Sequence, residues 1–454
     1  MEFTICNRYF RTTAIPRRLS IVPSLPPSFP ASLMPRFFYL PAVSCLAILL
    51  LTTSLQAEGV WLNWRGAQGN GNAGDGSYPT RWSEQQNIRW KVPLGGRGGS
   101  TPIVVDQQII LTAGIDGRNA LLAFDFDGRL KWQQSLGAER EGKHKKGSGS
   151  NSSPVSDGDK VFAYYKSGDL ACCDLQGKVL WQRNLQQEFA EDTLWWDLGT
   201  SPVLTEEAVI VAVMQSGPSF LVAFDKASGK QLWKIDRMLN ANEESNQAYT
   251  TPAIAKTDQG EVLFALGADH VTAHDVRTGR ELWRVGGFNP TNQRNYRCIS
   301  SPLIVGDLVI CPYARGKLVT AVRTTGQLSE KDRVAWQREE IGADVPTPTV
   351  EGNRIFLVTD KGDVTCVRAT DGETLWSGSL PKSRTNYSSS PMLAGGHLYL
   401  TREDGVTYVL KAGESFEIVA ENPLEATTVA TPIFVDGRII LRTFDSLYCI
   451  ANQP

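Results

Sequence analysis

The sequence predicts an all-β fold, an eight-bladed β-propeller of four-stranded antiparallel blades. Three observations predict it. A Ser/Thr-Pro dipeptide recurs eight times, each copy opens an apolar run, and a glycine turn followed by tryptophan closes most of the units. Repeats of about 40–50 residues carrying four short strands are the propeller pattern. No 3.6-residue apolar period competes with it over any long stretch.

The dipeptides are Thr101-Pro102, Ser153-Pro154, Ser201-Pro202, Thr251-Pro252, Ser301-Pro302, Thr347-Pro348, Ser390-Pro391 and Thr431-Pro432. Their prolines stand 52, 48, 50, 50, 46, 43 and 41 residues apart. Proline is tolerated at the very start of a strand, where no ladder donor is needed. A first apolar run follows it, as in Ile103-Val104-Val105, then a second, Ile109-Ile110-Leu111. The third strand is typified by Leu121 to Asp125 and Leu221 to Asp225. A glycine turn then leads to a tryptophan: Gly128/Trp132, Gly177/Trp181, Gly229/Trp233, Gly279/Trp283 and Gly372/Trp376. Glycine supplies the positive φ of a tight hairpin, and a large ring on the fourth strand can cover the seam between sheets. The fifth unit stretches the turn from Gly326 to Trp336, and the seventh loses the tryptophan and offers Phe416 nearby.

The eighth unit holds only three strands, ending at Leu447–Ala451. The missing one precedes the first dipeptide, as Ile88-Arg89-Trp90-Lys91-Val92. The N-terminal strand is therefore expected to complete the last blade and pair its open edge.

The chain has 454 residues, 41% of them hydrophobic and 21% charged, with a net charge of −2. Without a basic face to replace counterions, nucleic acid is excluded as a partner. Residues 1–33 hold scattered arginines and prolines without periodicity and are expected to be a disordered over-extension, with translation starting at Met34. Residues 34–57 combine Arg36 with an apolar run from Phe37 to Leu55 and read as an export signal cut after Ala57. Residues 58–87 form a leader before the 88–454 propeller. The expected location is the periplasm or cell envelope, with membrane association only if the apolar segment is retained. A monomer is expected.

The motif from Ala223 to Trp233, repeated from Ala273 to Trp283, has the form small-x-Asp-x-x-x-Gly-x-x-x-Trp. It resembles the quinoprotein-type, or PQQ-like, propeller repeat over about 88–451. That family holds eight-bladed quinoprotein dehydrogenases and the non-enzymatic assembly factor BamB. The leader's Trp61-Leu-Asn-Trp64-Arg65-Gly66 is similar to the start of exported PQQ-like repeat proteins of planctomycetes. The resemblance implies the fold; function resides in grafted sites.

Cys172-Cys173 invites comparison with the adjacent cysteines that lie over the quinone in the alcohol dehydrogenases. Here Cys172 occupies the small position also held by Ala123, Ala223, Ala273, Ala321, Cys366 and Cys449. Strand neighbours point to opposite faces, so Cys172 is expected in the core with Cys173 facing the other way, and Cys172, Cys366 and Cys449 are expected to be buried reduced thiols. Asp125, Asp174, Asp225 and Asp275 recur at one repeat position and are expected to fix turns, not to gather around calcium, which needs six or more oxygen ligands. His144, His270, His274 and His397 are scattered without metal-ligand spacing.

The links that enter each dipeptide are expected to converge on one mouth of the central channel. They are rich in the aromatic and arginine residues that binding surfaces favour. The candidate ligand-binding residues are Trp195, Trp196 and Asp197 on one link and Asn246 and Tyr249 on the next. Arg294, Tyr296 and Arg297 lie on a third, and Asn386 and Tyr387 on a fourth. The expected function is a non-catalytic scaffold binding an envelope protein, peptide or carbohydrate there, with no catalytic residue, metal or cofactor. The alternative is a PQQ- and calcium-dependent dehydrogenase of an alcohol or sugar.

Overall fold

The structure is a computed structural model that describes residues 59–453. The expected export signal and the expected over-extension lie outside the described residues. Eight four-stranded antiparallel sheets make the propeller. Blade 1 runs Ile103–Val105, Gln108–Ile115, Arg118–Phe124 and Leu130–Ala138, from hub to rim, and the next six repeat the order. Blade 8 takes Ile433–Val435, Arg438–Arg442 and Ser446–Ala451 from the C-terminus and Ile88–Pro93 from the N-terminal side. Trp90 faces Cys449 and Val92 faces Leu447, so the expected closure holds.

The small position and the tryptophan face each other across the third and fourth strands. Ala123 pairs with Trp132, Cys172 with Trp181, Ala223 with Trp233 and Cys366 with Trp376. A small residue there leaves room for the indole, which reaches sideways to the next blade. Trp90, Trp132, Trp181, Trp233, Trp336 and Trp376 each donate the indole N–H to a carbonyl in the neighbouring turn, at 2.7–3.0 Å. The repeated aspartates hold those turns. Asp125 Oδ1 accepts from the N–H of Asp127 and Arg129, and Asp174 Oδ1 from Gln176 and Lys178. Blade 5 departs from the pattern because a helical turn, Glu330–Arg333, extends its hairpin. The Trp283 indole N–H has no acceptor among the described residues, and the Arg333 guanidinium lies over its ring at 4.4 Å.

The seventh blade differs from the sequence reading. Phe416 does not replace the tryptophan but packs on Trp376 of blade 6, at 6.2 Å. The tryptophan position falls on Ala420, opposite Val409. A buried tryptophan of the leader, Trp82, joins the same core cluster as Ala420 and stacks on Tyr399 with rings 6.4 Å apart.

At the hub, the Ser/Thr of the dipeptides has a structural role. The backbone N–H of Thr101 donates to Ser153 Oγ, Ser153 to Ser201, Ser201 to Thr251 and Thr251 to Ser301. Ser301 continues to Thr347, Thr347 to Ser390, Ser390 to Thr431, and Thr431 returns to Thr101. All eight bonds measure 2.9–3.1 Å. The proline that follows has no N–H, so one donor per blade suffices to lace the ring.

The leader lies across the hub, beyond this ring. Trp61 exchanges backbone bonds with Val104 of blade 1, and Leu62 accepts from Ser156 of blade 2. On the other side Arg65 donates to the carbonyls of Pro348, at 2.6 Å, and Pro391, at 3.0 Å, on blades 6 and 7. Asn72 donates to Val350 and Ala73 to Leu393. These contacts fall at the prolines of the inner strands or two residues past them, away from the mouth. Gly71, at φ +78°, is required there, because a Cβ would collide with the Arg65 guanidinium. The leader thus closes the far end and turns the channel into a cup.

Candidate functional site

The cup is a cavity of about 510 Å³. All eight Ser/Thr hydroxyls line its wall, and Trp64 of the leader lies toward its closed end. Each hydroxyl already accepts one backbone N–H, and its own hydrogen has no acceptor among the described residues. The cup therefore presents a ring of uncommitted O–H donors.

Five of the residues expected at the mouth line this cavity: Trp196, Asp197, Tyr249, Arg297 and Asn386. Trp196 is 44% exposed, and its indole N–H donates to Glu244 Oε1 at 2.8 Å. Its ring meets His144 edge-on at 5.5 Å. Asp197 is buried beneath it, ion-paired with buried Lys166 and accepting from the backbone N–H of Lys143 and His144. That aspartate organises the Lys143–Lys146 loop. Tyr249 is buried, and its hydroxyl donates to Gln247 and accepts from Trp196 N–H. Burial holds that phenol far above its ordinary range. Arg297 lies between Glu244, at 3.6 Å, and Asp344, at 3.5 Å, with Nη1 buried and without a partner among the described residues. Burial raises the Asp344 carboxyl, and the charges of Arg297 and Arg315 oppose the rise.

The other five occupy different settings. Trp195 is on the outside of the mouth and 53% exposed. Arg294 is exposed beside Glu243. Asn246 bonds within its own loop to the Ala241 carbonyl. Tyr296 is half-buried, and its N–H donates to Ser245 Oγ. Tyr387 is 2% exposed and packs in the core between blades 6 and 7, not in the cavity.

Sequence reasoning missed Trp64, His144, Arg315, Asp344 and Asp360, which also line the cavity, as does Lys146 of the first entering link. Arg315 and Asp360 have one cause in common. In an antiparallel blade the turn between the second and third strands returns to the same face as the entering link. Arg315 and Asp360 sit on such turns. Alternation of turns was the available signal.

A family model described as outer membrane protein assembly factor BamB matches residues 80–236, 195–415 and 361–453. The chain belongs to the BamB family. BamB of Escherichia coli strain K12 is 27% identical over 155 residues, which is 34% of this chain and 37% of that protein. BamB of Legionella pneumophila strain Paris is 24% identical over 148 residues, 31% and 36% of the two chains. These alignments span little more than a third of the relatives' own length. Among solved structures, BamB from Moraxella catarrhalis superposes with a TM-score of 0.56 at 16% identity, covering 80% of this chain and 98% of that one. A quinohemoprotein alcohol dehydrogenase from Comamonas testosteroni reaches 0.62 at 11% identity, covering 87% and 81%. At these identities the structural likeness is one of fold.

The cysteines do not fit a lid over a quinone. Cys172 packs in the core between blades 2 and 3 and Cys173 in the core between blades 1 and 2. The strand sends the two sulfurs to opposite sides of one sheet, and both are free thiols. Burial pushes each of them up to about 12. Among the described residues, no group of three or more His, Cys, Asp or Glu side chains is placed to hold a metal.

Proposed function

We propose that this chain is an exported, non-catalytic scaffold of the cell envelope that docks a protein partner on its loop-rich mouth. The carrying observation is the adjacent pair Trp195 and Trp196, 53% and 44% exposed on a firmly braced loop. Trp195 N–H donates to Gln247 Oε1 at 2.8 Å, and Trp196 is held by Tyr249 and Glu244. Exposed indoles on a braced backbone are what an interface hot spot needs, since little ordering remains to be done on binding. Met238, 55% exposed on the next link, adds apolar area at the same face. The E. coli relative carries the name of an outer membrane assembly factor, which supports an envelope protein as the partner. Among the described residues no helix is long and apolar enough to cross a membrane.

Site-specific photo-crosslinking in the native envelope tests this reading. A benzophenone side chain at Trp195 should capture one discrete partner, and the same group at Leu180 on an outer strand should not. Trp195→Ala with Trp196→Ala should abolish co-isolation of that partner from a folded ring. Equal recovery by the double variant and the native chain would reject the mouth as the docking site.

A further inference from the structure

We propose that the cup is a second site, which meets the docking rim at Trp196, and that it takes a neutral polyhydroxylated ligand of disaccharide size. Four observations converge on this chemistry. The volume, about 510 Å³, falls within the usual range for small-molecule sites, about 300–1,000 Å³. The leader closes the far end with Arg65 bound to two blades, so a ligand enters and leaves by the mouth and a polymer cannot thread through. The wall is a complete ring of hydroxyls whose hydrogens lack protein acceptors among the described residues. Trp64 lines the same cavity, with the Arg65 guanidinium over its ring at 5.5 Å, and supplies aromatic surface of the kind on which the C–H face of a pyranose packs.

Charge decides between a sugar and an anion. The donor ring and the unpartnered Arg297 Nη1 would suit either. The same cavity, however, is lined by Asp197, Asp344 and Asp360 against Lys146, Arg297 and Arg315, three formal charges of each sign. An anion would gain no net field, and the carboxylates would repel it. Sugar hydroxyls donate as well as accept, so they can answer the wall hydroxyls, the arginine and the carboxylates together. Ser388 and Asn386 extend this mixed set toward the mouth. The inference does not rest on the docking reading, although Trp196 belongs to both places: Trp195 does not line the cup, so its substitution tells the two sites apart.

Isothermal titration of the full chain with maltose, cellobiose and N,N′-diacetylchitobiose at millimolar concentration tests it, with citrate as the anionic probe. At least one disaccharide should give a saturable heat, and citrate none. Trp64→Ala should weaken that association by about tenfold or more, Trp64→Phe should retain most of it, and Trp195→Ala should leave it unchanged. If Trp64→Ala fails to fold, Val429→Trp fills the cavity from the wall and should abolish the heat. Silence from all three disaccharides, a response to citrate alone, or full affinity in a folded Trp64→Ala would overturn the proposal. Loss of partner crosslinking with intact sugar binding would count against the docking reading only.

Discussion

Replacing Trp82 by alanine should destabilise the ring by about 3–4 kcal/mol, and the figure follows from its surroundings. A buried tryptophan removes about 150–250 Å² from water, worth about 4–6 kcal/mol at roughly 25 cal/mol per Å². The Trp82 indole N–H is buried with no acceptor among the described residues, which offsets about 1–3 kcal/mol of that gain. The remainder sits near the lower end of the usual cost of Trp→Ala, about 3–5 kcal/mol. The backbone bond from Trp82 N–H to Asn422 Oδ1, at 2.8 Å, survives the change. Urea unfolding followed by far-ultraviolet circular dichroism gives the difference. Trp195→Ala is the control and should stay within about 0.5 kcal/mol of the native chain. A second substitution probes the seam itself. Ala420→Trp alone overpacks it, at about 1–3 kcal/mol, but combined with Trp82→Ala it should restore part of the loss. Additive effects of the two would show that they do not share one space. That result, or a Trp82→Ala no worse than Trp195→Ala, would refute the substitution of a leader tryptophan for the missing blade tryptophan.

Two further outcomes are expected. His274 is buried against Thr272 and the Gly279 carbonyl, and burial, aided by Arg237, lowers its pKa from 6.5 to about 4. The unfolded chain therefore takes up the proton first. Stability should be flat with respect to this group above about pH 6.5 and fall by about 3 kcal/mol as the pH drops toward 4. His274→Gln should flatten that segment of a stability–pH curve; an unchanged slope would assign it to other groups. The Cys172 and Cys173 thiols should resist Ellman's reagent in the native ring, react in urea, and appear in the intact mass with both hydrogens present. A vicinal disulfide in the peptide that contains them would revive the dehydrogenase alternative.

The propeller was legible because its rules are local and repeated. A proline at a strand start, a glycine turn, an aspartate that caps the turn and a tryptophan opposite a small residue each declare themselves within a dozen residues. Closure was legible for the same reason: Trp90 is recognisable as a stray copy of the fourth strand. The hub ring was half legible. The hydroxyl before each proline was plain in the sequence, but its partner lies 41 to 52 residues away in seven cases and 330 in the eighth. The leader was not legible beyond its resemblance. Arg65 and Asn72 donate to carbonyls of inner strands some 280 to 330 residues on, Gly71 accepts from the Leu393 N–H, and no periodicity marks such contacts. Tyr387 illustrates the opposite error. It sits on an entering link, as the reading required, yet its side chain turns inward against Gly362 and fills the core between blades.

The links at the mouth are long, and loops of that length are ordinarily mobile. Here they are tied to one another. The link from blade 3 to blade 4 exchanges backbone bonds with the link that follows it: Tyr249 N–H donates to Cys298, and Cys298 N–H to Gln247. Gln247 Oε1 in turn accepts from Trp195 on the preceding link, and Ser245 Oγ holds Tyr296. Three links from three blades thus form one sheet-like apron around Trp195 and Trp196. Its rigidity has a consequence for binding. Ordering a side chain at an interface costs about 0.5–1.5 kcal/mol each, and here much of the backbone ordering is completed on folding. On the docking reading proposed above, affinity for a partner would depend on the exposed indoles themselves, and variants that cut the apron, far from any contact, would weaken docking by returning that cost.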